Sequence, residues 1–196
     1  MIERTTNPLV LAALGTSLTA RGAWLQSFSA SSTYVSGRPV RTLNFAKVGA
    51  TSRWGLKIAN EVAQAHPDIA IIEFAINDAA LHRRVSLSES GTNVTAIVRR
   101  LRAAQPDVWL YLMTMSPAIG LSSLLRPRLT RYYDLYATIA AREHAGYIDN
   151  RADWKSLSRT ELAKALPDGT HPSAQFSISI TLTNVLRALQ RDFGQR

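Results

Sequence analysis

Short apolar stretches alternate with amphipathic segments along the 196-residue chain. The first stretch, Leu9 to Leu14, has no polar residue within it, which is typical of a strand covered on both faces of a parallel sheet. By this pattern we predict five strands, at residues 9–14, 40–46, 68–75, 108–115 and 146–150. A helical repeat follows each of the first four, so we expect an α/β fold with right-handed crossovers and helices on both faces of a parallel sheet.

Capping residues mark several helix boundaries. The spacing Ser-x-x-Glu, in which a hydroxyl and a carboxylate can cap a helix start together, occurs at Ser86–Glu89 and at Ser158–Glu161. The last segment is ambiguous, because residues 178–182 alternate like a strand whereas the later apolar residues repeat at helical spacing. We predict a helix there, since Pro172-Ser173 is a favourable helix entry.

Small or polar residues stand after three of the predicted strands. Ser17 follows the first strand, Gly49 the second and Asn77 the third. Because the carboxyl ends of parallel strands meet at one edge of a sheet, we expect these residues to lie close together. A serine hydroxyl there needs a neighbouring base to become a nucleophile. A glycine N–H and an asparagine amide could stabilise an oxyanion, although each residue alone is equally typical of a turn or a loop cap.

A candidate base stands further along the chain, in Asp168-Gly-Thr-His171. A carboxylate three residues before an imidazole, on a tight turn, can accept a hydrogen bond from Nδ1–H and leave Nε2 free as a base. Taken alone, this spacing is also compatible with an ordinary surface loop. A zinc site is disfavoured, because the chain contains no cysteine and none of its four histidines pairs with another at ligand spacing.

Together these residues resemble the SGNH hydrolases, also called the GDSL esterase/lipase family. Four blocks occur in the family's order over nearly the whole chain: Gly15–Thr19, Gly49, Ala75–Asp78 and Asp168–Pro172. The resemblance implies the family's three-layer α/β/α sandwich with a flavodoxin-like parallel sheet, here of five strands.

The resemblance also implies a role for each matching residue. Ser17 would be the nucleophile, His171 the general base and Asp168 the residue that orients it. The Ser17 N–H, the Gly49 N–H and the side-chain amide of Asn77 would form the oxyanion hole. Neither a cofactor nor a metal is implied.

Two positions depart from the family's pattern. Thr16 stands where aspartate is usual, and Ala75 stands where glycine is usual, two residues before Asn77. Neither is a proposed proton-transfer or oxyanion group, so we expect the chemistry to survive and leave the loop geometry and substrate fit open. The Gly-x-Ser-x-Gly elbow of α/β-hydrolases is absent around Ser17, and no Gly-x-Gly-x-x-Gly or Walker motif occurs.

Composition and charge exclude or disfavour several other classes of protein. The absence of cysteine excludes disulfides and thiolate catalysis. No stretch is long enough to span a membrane and the N-terminus leaves no room for a signal peptide, so a single cytoplasmic domain over residues 1–196 is expected. The net charge of +9 is spread over helix faces, so no nucleic-acid partner is expected. Only Arg126, Arg128 and Arg131 cluster near the expected active-site loop, which favours anionic substrates mildly.

The expected activity is hydrolysis of carboxylic esters through an acyl-enzyme. The expected substrate is a small-molecule or carbohydrate ester with a short acyl group such as acetyl, because no lid-like apolar insertion is visible. An O-acyltransferase with the same triad and a non-catalytic flavodoxin-like binding module are the alternatives, and the oligomeric state is left open. Trp154, in the polar stretch before Asp168, could stack on a sugar. His82 could line the site, although a solvated loop histidine is the favoured interpretation.

Overall fold

A six-stranded sheet lies at the centre of the computed structural model, which describes residues 7–31 and 33–193. The strands are β1 (Leu9–Gly15), β2 (Tyr34–Val35), β3 (Arg38–Asn44), β4 (Ile69–Glu73), β5 (Trp109–Met113) and β6 (Gly146–Ile148). Their order in the sheet is β2-β3-β1-β4-β5-β6, and every pairing except that of β2 with β3 is parallel. The central position of β1 places its end, and therefore Ser17, in the middle of the carboxyl edge.

Helices cover both faces of this sheet. They are α1 (Ser17–Ala20), α2 (Ala23–Ala30), α3 (Ser52–Gln64), α4 (Ala75–Asp78), α5 (Leu87–Ala104), α6 (Leu121–Leu124), α7 (Leu129–Arg142), α8 (Arg151–Ser156), α9 (Arg159–Ala165), α10 (Ala174–Phe176) and α11 (Thr183–Phe193). A 3₁₀ turn (Leu81–Arg83) precedes α5, and a π-helix (Ser177–Leu182) joins α10 to α11. The helices α3, α5 and α7 pack side by side as one layer, and α2, the π-helix and α11 form the other.

The five predicted parallel strands and the three-layer α/β/α architecture are confirmed, with the flavodoxin-like strand order. The sheet has one strand more than predicted, because the two-residue β2 pairs with the start of β3 in an antiparallel hairpin. Its turn, Ser36-Gly37, has φ values of +50° and +73°, as a two-residue hairpin turn requires. Two residues are too few to show an alternating pattern, so this strand left no periodic signal.

Burial explains why the apolar runs are good indicators of strands. In β1 and β4 the residues Leu11, Leu14, Ile69 and Ile72 are completely buried between the two helix layers. Each such side chain stabilises the fold by roughly 1.5–3 kcal/mol relative to an exposed position. The described part of the chain contains no helix that is long and apolar enough to cross a membrane.

The two predicted capping boxes differ in the structure. At α9, the Ser158 hydroxyl accepts from the Glu161 N–H and the Glu161 carboxylate accepts from the Ser158 N–H, so the box is complete. At α5, the Ser86 hydroxyl accepts from the Glu89 N–H, but the Glu89 carboxylate binds Arg53 instead. The C-terminal segment is helical from residue 174 to residue 193, as predicted, with the π-helix inside it.

Candidate active site

The turn after β1 presents Ser17 at the start of α1, half-buried at the carboxyl edge of the sheet. Thr16 caps this helix, and its hydroxyl accepts a hydrogen bond from the Leu18 N–H. The preceding residue must be glycine, because a Cβ on Gly15 would lie 2.1 Å from Oε1 of Glu73. The local sequence therefore makes a tight strand-to-helix turn that leaves the serine hydroxyl facing outward.

Three of the predicted site residues form a continuous hydrogen-bonded chain. Oγ of Ser17 lies 2.7 Å from Nε2 of His171, and Nδ1 of the same imidazole lies 2.6 Å from Oδ2 of Asp168. Ser17 and His171 are 154 residues apart in the sequence, so the fold itself produces this contact. The arrangement gives the serine a base and gives the base an orienting carboxylate.

Asp168 also shapes the loop that carries the histidine. Its Oδ1 accepts hydrogen bonds from the N–H groups of Thr170 (2.9 Å) and His171 (2.7 Å), leaving Oδ2 for the imidazole. Partial burial acts to raise the pKa of Asp168, but these hydrogen bonds outweigh it and the pKa is lowered below its usual value. The carboxyl group is therefore ionised when it faces the imidazole.

A second set of contacts joins this loop to the segment after β5. The Ser116 hydroxyl donates to the Thr170 carbonyl at 2.7 Å, and the Ile119 N–H donates to the Gly169 carbonyl at 2.9 Å. Gly169 has a φ of +82°, and a Cβ there would lie 2.6 Å from the Ile119 carbonyl oxygen, so the turn requires glycine. The loop is thus fixed by its own aspartate and by a neighbouring strand end.

The predicted oxyanion donors follow the two strands that flank β1: Gly49 comes after β3 and Asn77 after β4. Gly49 has a φ of +74°, and Nδ2 of Asn77 donates to the Ala50 carbonyl at 2.8 Å, which ties the asparagine to the glycine turn. This bond uses one of the two amide hydrogens, and the second is available for a ligand. Among the described residues, the N–H groups of Ser17 and Gly49 donate to no other protein group.

Asp78, the residue after Asn77, holds this turn in place. Its carboxylate accepts from the Ser52 N–H at 2.8 Å and from the Ser90 hydroxyl at 2.6 Å, so it connects α4 to the starts of α3 and α5. Burial raises the pKa of Asp78, while these hydrogen bonds act in the opposite direction. Asp78 therefore fixes the position of Asn77, and both side chains are buried.

Glu73 is a residue that the sequence analysis missed. It is 1% exposed at the end of β4, and it accepts hydrogen bonds from the Thr16 N–H (2.6 Å), the Thr16 hydroxyl (3.1 Å) and the Thr19 hydroxyl (2.7 Å). Burial raises the pKa of Glu73 to about 8. Glu73 therefore holds the Ser17 turn in place through Thr16 and Thr19. The sequence does contain one indication of this role: Glu73 is the single glutamate in the otherwise apolar run of a strand that helices cover on both faces.

Comparison with known protein families decides the assignment. A model of the GDSL-like lipase/acylhydrolase family matches residues 13–176, which is well over half of the chain. The chain belongs to this family. Membership makes the protein an SGNH-type hydrolase that acts on esters, and it confirms the family resemblance in the sequence. A search of curated protein sequences found no match.

Solved structures of the same fold include esterases. Axe2, an acetylxylan esterase from Geobacillus stearothermophilus, has 20% identity and a TM-score of 0.74, with 94% of this chain and 95% of that chain covered. A lipase/acylhydrolase from Enterococcus faecalis has 20% identity and a TM-score of 0.77, with 94% and 96% covered. TesA has 21% identity and a TM-score of 0.70, with 93% and 98% covered. At these identities the likeness concerns the fold.

The two departures from the family pattern have structural explanations. Thr16, in place of the usual aspartate, uses its hydroxyl both to cap α1 and to bind Glu73. An aspartate at this position would put a second carboxylate against Glu73. Ala75, in place of the usual glycine, begins α4 with its side chain buried, and its helical backbone does not require glycine.

The predicted arginine cluster is divided by the structure. Arg126 is half-buried and donates to the carbonyls of Ile76 (2.9 Å) and Ser122 (3.3 Å), next to the active-site edge. Arg128 and Arg131 instead line a separate cavity of about 380 Å³ together with Arg84. Arg126 is thus the member of the cluster that lies beside the proposed chemistry.

The sugar-stacking hypothesis for Trp154 is wrong. Its side chain is 1% exposed and packs in a small core, with its ring centroid 6.4 Å from that of Phe176. Trp24 is likewise buried, and its indole N–H donates to the Leu18 carbonyl at 3.2 Å. His82 is exposed in the 3₁₀ turn, in agreement with a solvated loop position.

The loop after β5 carries apolar surface that the sequence analysis did not find. Leu121, Leu124 and Leu125 are 81%, 69% and 47% exposed, on and just after the short helix α6. The neighbouring Ser122 donates its hydroxyl to the Asp168 carbonyl at 3.3 Å, so these leucines lie close to the histidine loop. Within the described residues, no group of three or more His, Asp and Glu side chains is arranged to hold a metal ion.

Proposed function

We propose that the protein is a serine esterase in which Ser17 is the nucleophile, His171 the general base and Asp168 the residue that orients the base. The observation that carries the proposal is the continuous Ser17–His171–Asp168 chain, with contacts of 2.7 and 2.6 Å. Solved catalytic mutants of Axe2 replace a serine, and an aspartate and a histidine that are three residues apart. Asp168 and His171 have the same separation, which supports the same roles here.

The reaction follows from these positions. Ser17 Oγ attacks the ester carbonyl while its proton moves to Nε2 of His171, and Asp168 stabilises the imidazolium. The negative charge that develops on the carbonyl oxygen accepts hydrogen bonds from the Ser17 N–H, the Gly49 N–H and the Asn77 amide. The tetrahedral intermediate expels the alcohol, which receives the proton from His171. Water then enters and the same groups hydrolyse the acyl-enzyme.

A short acyl group on a carbohydrate or another small alcohol is the favoured substrate. The cleft beside Ser17 has a volume of about 340 Å³ and is lined by Arg21, Gly22, His171 and Pro172, among others. Arg21 and His171 are polar, so a long apolar chain gains little there. Axe2, the acetylxylan esterase with the same fold, removes acetyl groups from a polysaccharide, which supports the acetyl preference.

A longer acyl chain is the second candidate, because of the exposed leucines after β5. Leu121 and Leu124 lie on the loop that contacts Asp168, and an acyl chain leaving the cleft in that direction would cover apolar surface. Each buried CH₂ of such a chain would contribute about 0.8 kcal/mol to binding. The two candidates predict opposite trends with chain length.

The decisive experiment is hydrolysis of p-nitrophenyl acetate, butyrate and octanoate by the wild type, Ser17→Ala and His171→Ala. We expect the wild type to turn over at least one ester and each variant to lose roughly four to six orders of magnitude in kcat. Decreasing kcat/KM with chain length would support the short-acyl substrate, and increasing kcat/KM the longer one. Equal slow rates in all three proteins would refute the triad, provided that a fluorophosphonate also fails to label Ser17.

A further inference from the structure

Arg83 lies against the Gly49 turn, and its side chain has no binding partner among the described residues. A Cβ on Gly49 would lie 3.0 Å from Nη2 and 3.7 Å from Cζ of Arg83, so the guanidinium contacts the glycine turn directly. The half-buried Arg83 side chain makes no hydrogen bond or ion pair with any described residue, and its Nε is buried without an acceptor. A guanidinium offers five N–H donors, and leaving a buried donor unpaired is unfavourable.

The backbone that carries this side chain is held firmly. The Arg53 guanidinium donates to the carbonyls of Arg83 (3.3 Å) and Arg84 (2.9 Å), and it also binds the Glu89 carboxylate. The Arg83 N–H completes the 3₁₀ turn by donating to the Ala80 carbonyl at 2.8 Å. The position of Arg83 therefore follows from the clamped turn, and it is not that of a long side chain on an unanchored loop.

The neighbouring carboxylates are all engaged by other groups. Glu89 binds Arg53, Asp78 accepts from Ser52 and Ser90, and Asp168 faces His171. None of these carboxylates lies within ion-pair distance of Arg83. The positive charge near Gly49 is therefore not neutralised by a described acidic side chain.

A second positive charge reinforces the first. The Leu81 N–H donates to the Leu125 carbonyl at 2.9 Å, so the turn that carries Arg83 lies against the segment that carries Arg126. Burial lowers the pKa of Arg126, and the charge of Arg83 acts in the same direction, whereas Tyr133 and Asp168 raise it.

Among the described residues, the Arg126 guanidinium donates hydrogen bonds to the carbonyls of Ile76 and Ser122 and forms no ion pair. Arg21 lines the cleft beside Ser17 and is exposed. Two guanidinium groups on neighbouring segments, neither within ion-pair distance of a described carboxylate, form a site that favours an anion.

We propose that Arg83, with Arg126 beside it, binds a carboxylate or a similar oxyanion of the substrate, so that the enzyme prefers esters of acidic molecules. The proposal rests on the proposed esterase function and adds the substrate's charge to it. An acidic sugar that carries an acetyl ester has this chemistry. The guanidinium fork matches the two oxygens of a carboxylate, and it lies next to the glycine that faces the ester carbonyl.

The test compares matched anionic and neutral esters. The first pair is 3-acetoxybenzoate and its methyl ester, with the charge on the alcohol side. The second pair is p-nitrophenyl hemisuccinate and p-nitrophenyl valerate, with the charge on the acyl side. For each pair, the anionic-over-neutral ratio of kcat/KM is measured in the wild type, Arg83→Gln, Arg83→Lys and Arg41→Gln.

The control substitution removes the same charge far from the site. Arg41 is exposed on β3 and pairs with Val10, five residues before the end of β1, or about 17 Å from it at about 3.3 Å per residue. Its side chain makes no hydrogen bond with a described residue. Arg41→Gln is expected to leave both ratios unchanged.

We expect Arg83→Gln to lower the ratio by roughly tenfold to hundredfold in one pair, the effect of one charge-assisted hydrogen bond, with Arg83→Lys between. Raising the NaCl concentration should lower the wild-type ratio in the same pair. Ratios in Arg83→Gln within about twofold of the wild type in both pairs would overturn the inference, even where all rates fall together.

A binding measurement separates this inference from the esterase proposal. Ser17→Ala is titrated calorimetrically with 3-acetoxybenzoate and with p-nitrophenyl hemisuccinate, alone and combined with Arg83→Gln. Weaker binding of either probe in the double variant supports the anion site, whether or not any ester is hydrolysed. A lack of hydrolysis would count against the esterase proposal only. Binding that Arg83→Gln leaves unchanged overturns the anion site and leaves the triad untouched.

Discussion

The two regions that form the candidate triad are built on different supports. The Ser17 turn rests on Glu73, a carboxyl that is 1% exposed and accepts from Thr16 and Thr19 in the middle of the sheet edge. The side chains of Asp168 and His171 are 55% and 49% exposed, and their loop is shaped by hydrogen bonds to one carboxylate oxygen. The position of Ser17 therefore depends on the core, whereas the position of His171 depends on local loop contacts. Substitutions in the two regions should separate stability from activity.

The largest effect on activity without a loss of stability is expected for Asp168→Asn. The asparagine Oδ1 can still accept from the Thr170 and His171 N–H groups, so the loop keeps its shape. Its Nδ2 would donate toward Nδ1 of the imidazole and favour the tautomer that cannot deprotonate Ser17. We expect kcat on p-nitrophenyl acetate to fall about 10⁴-fold while the thermal midpoint changes by only about a degree. A variant that keeps a tenth or more of wild-type kcat would show that Asp168 does not orient the base.

The largest effect on stability is expected in the other region, for Glu73→Ala. This substitution leaves the Thr16 N–H and the Thr16 and Thr19 hydroxyls without an acceptor, and it opens a cavity beneath the nucleophile. We expect the free energy of unfolding to fall by about 3–5 kcal/mol in urea titrations at pH 6. Glu73→Gln is the matched control, since its amide has the shape of the protonated carboxyl and keeps an acceptor for Thr16. Equal stability of the two variants would contradict the supporting role of Glu73.

The protonation of Glu73 provides a sharper test of the same region. Burial raises its pKa to about 8 in the folded protein, against 4.5 as its ordinary value. Between these two values the folded state holds a proton that the unfolded state releases, so stability falls as pH rises through this window, by up to about 1.4 kcal/mol per pH unit. Glu73→Gln removes the titrating group and should flatten the decline. Unfolding titrations between pH 5 and pH 8 on both proteins test this, and parallel curves would refute a raised pKa at Glu73.

Much of the fold could be predicted because burial on both faces leaves a direct signal. Runs such as Leu9–Leu14 are apolar throughout since both helix layers cover them, and the helical repeats between them define the crossovers. The small strand β2 could not be found in this way, since Tyr34–Val35 has no measurable periodicity. Its turn, Ser36-Gly37, was the one local indication of a hairpin.

The residues of the candidate site likewise include some that the sequence could predict and some that it could not. Ser17, Asp168 and His171 could be predicted because their chemistry requires particular residue types near strand ends, and the family resemblance fixed their order. Glu73 and Arg83 could not, because their importance depends on neighbours that are remote in sequence: Thr16 for the first and Gly49 for the second. The sequence around a single glutamate or arginine does not show which distant residues its side chain will contact in the folded protein.

The smallest expected effect concerns the histidine region and compares two serines that donate to its backbone. The Ser116 hydroxyl is fully buried and donates to the Thr170 carbonyl at 2.7 Å, whereas the Ser122 hydroxyl is on the exposed loop and donates to the Asp168 carbonyl at 3.3 Å. Ser116→Ala should cost about 1–2 kcal/mol in urea unfolding, because a buried carbonyl loses its donor, and Ser122→Ala should cost under about 0.5 kcal/mol. If the loop depends only on its own aspartate, both variants will match the wild type. A loss of stability in Ser116→Ala alone would instead show that the His171 loop also depends on one buried hydrogen bond. The His171 loop and the Ser17 turn would then differ less in how the core supports them.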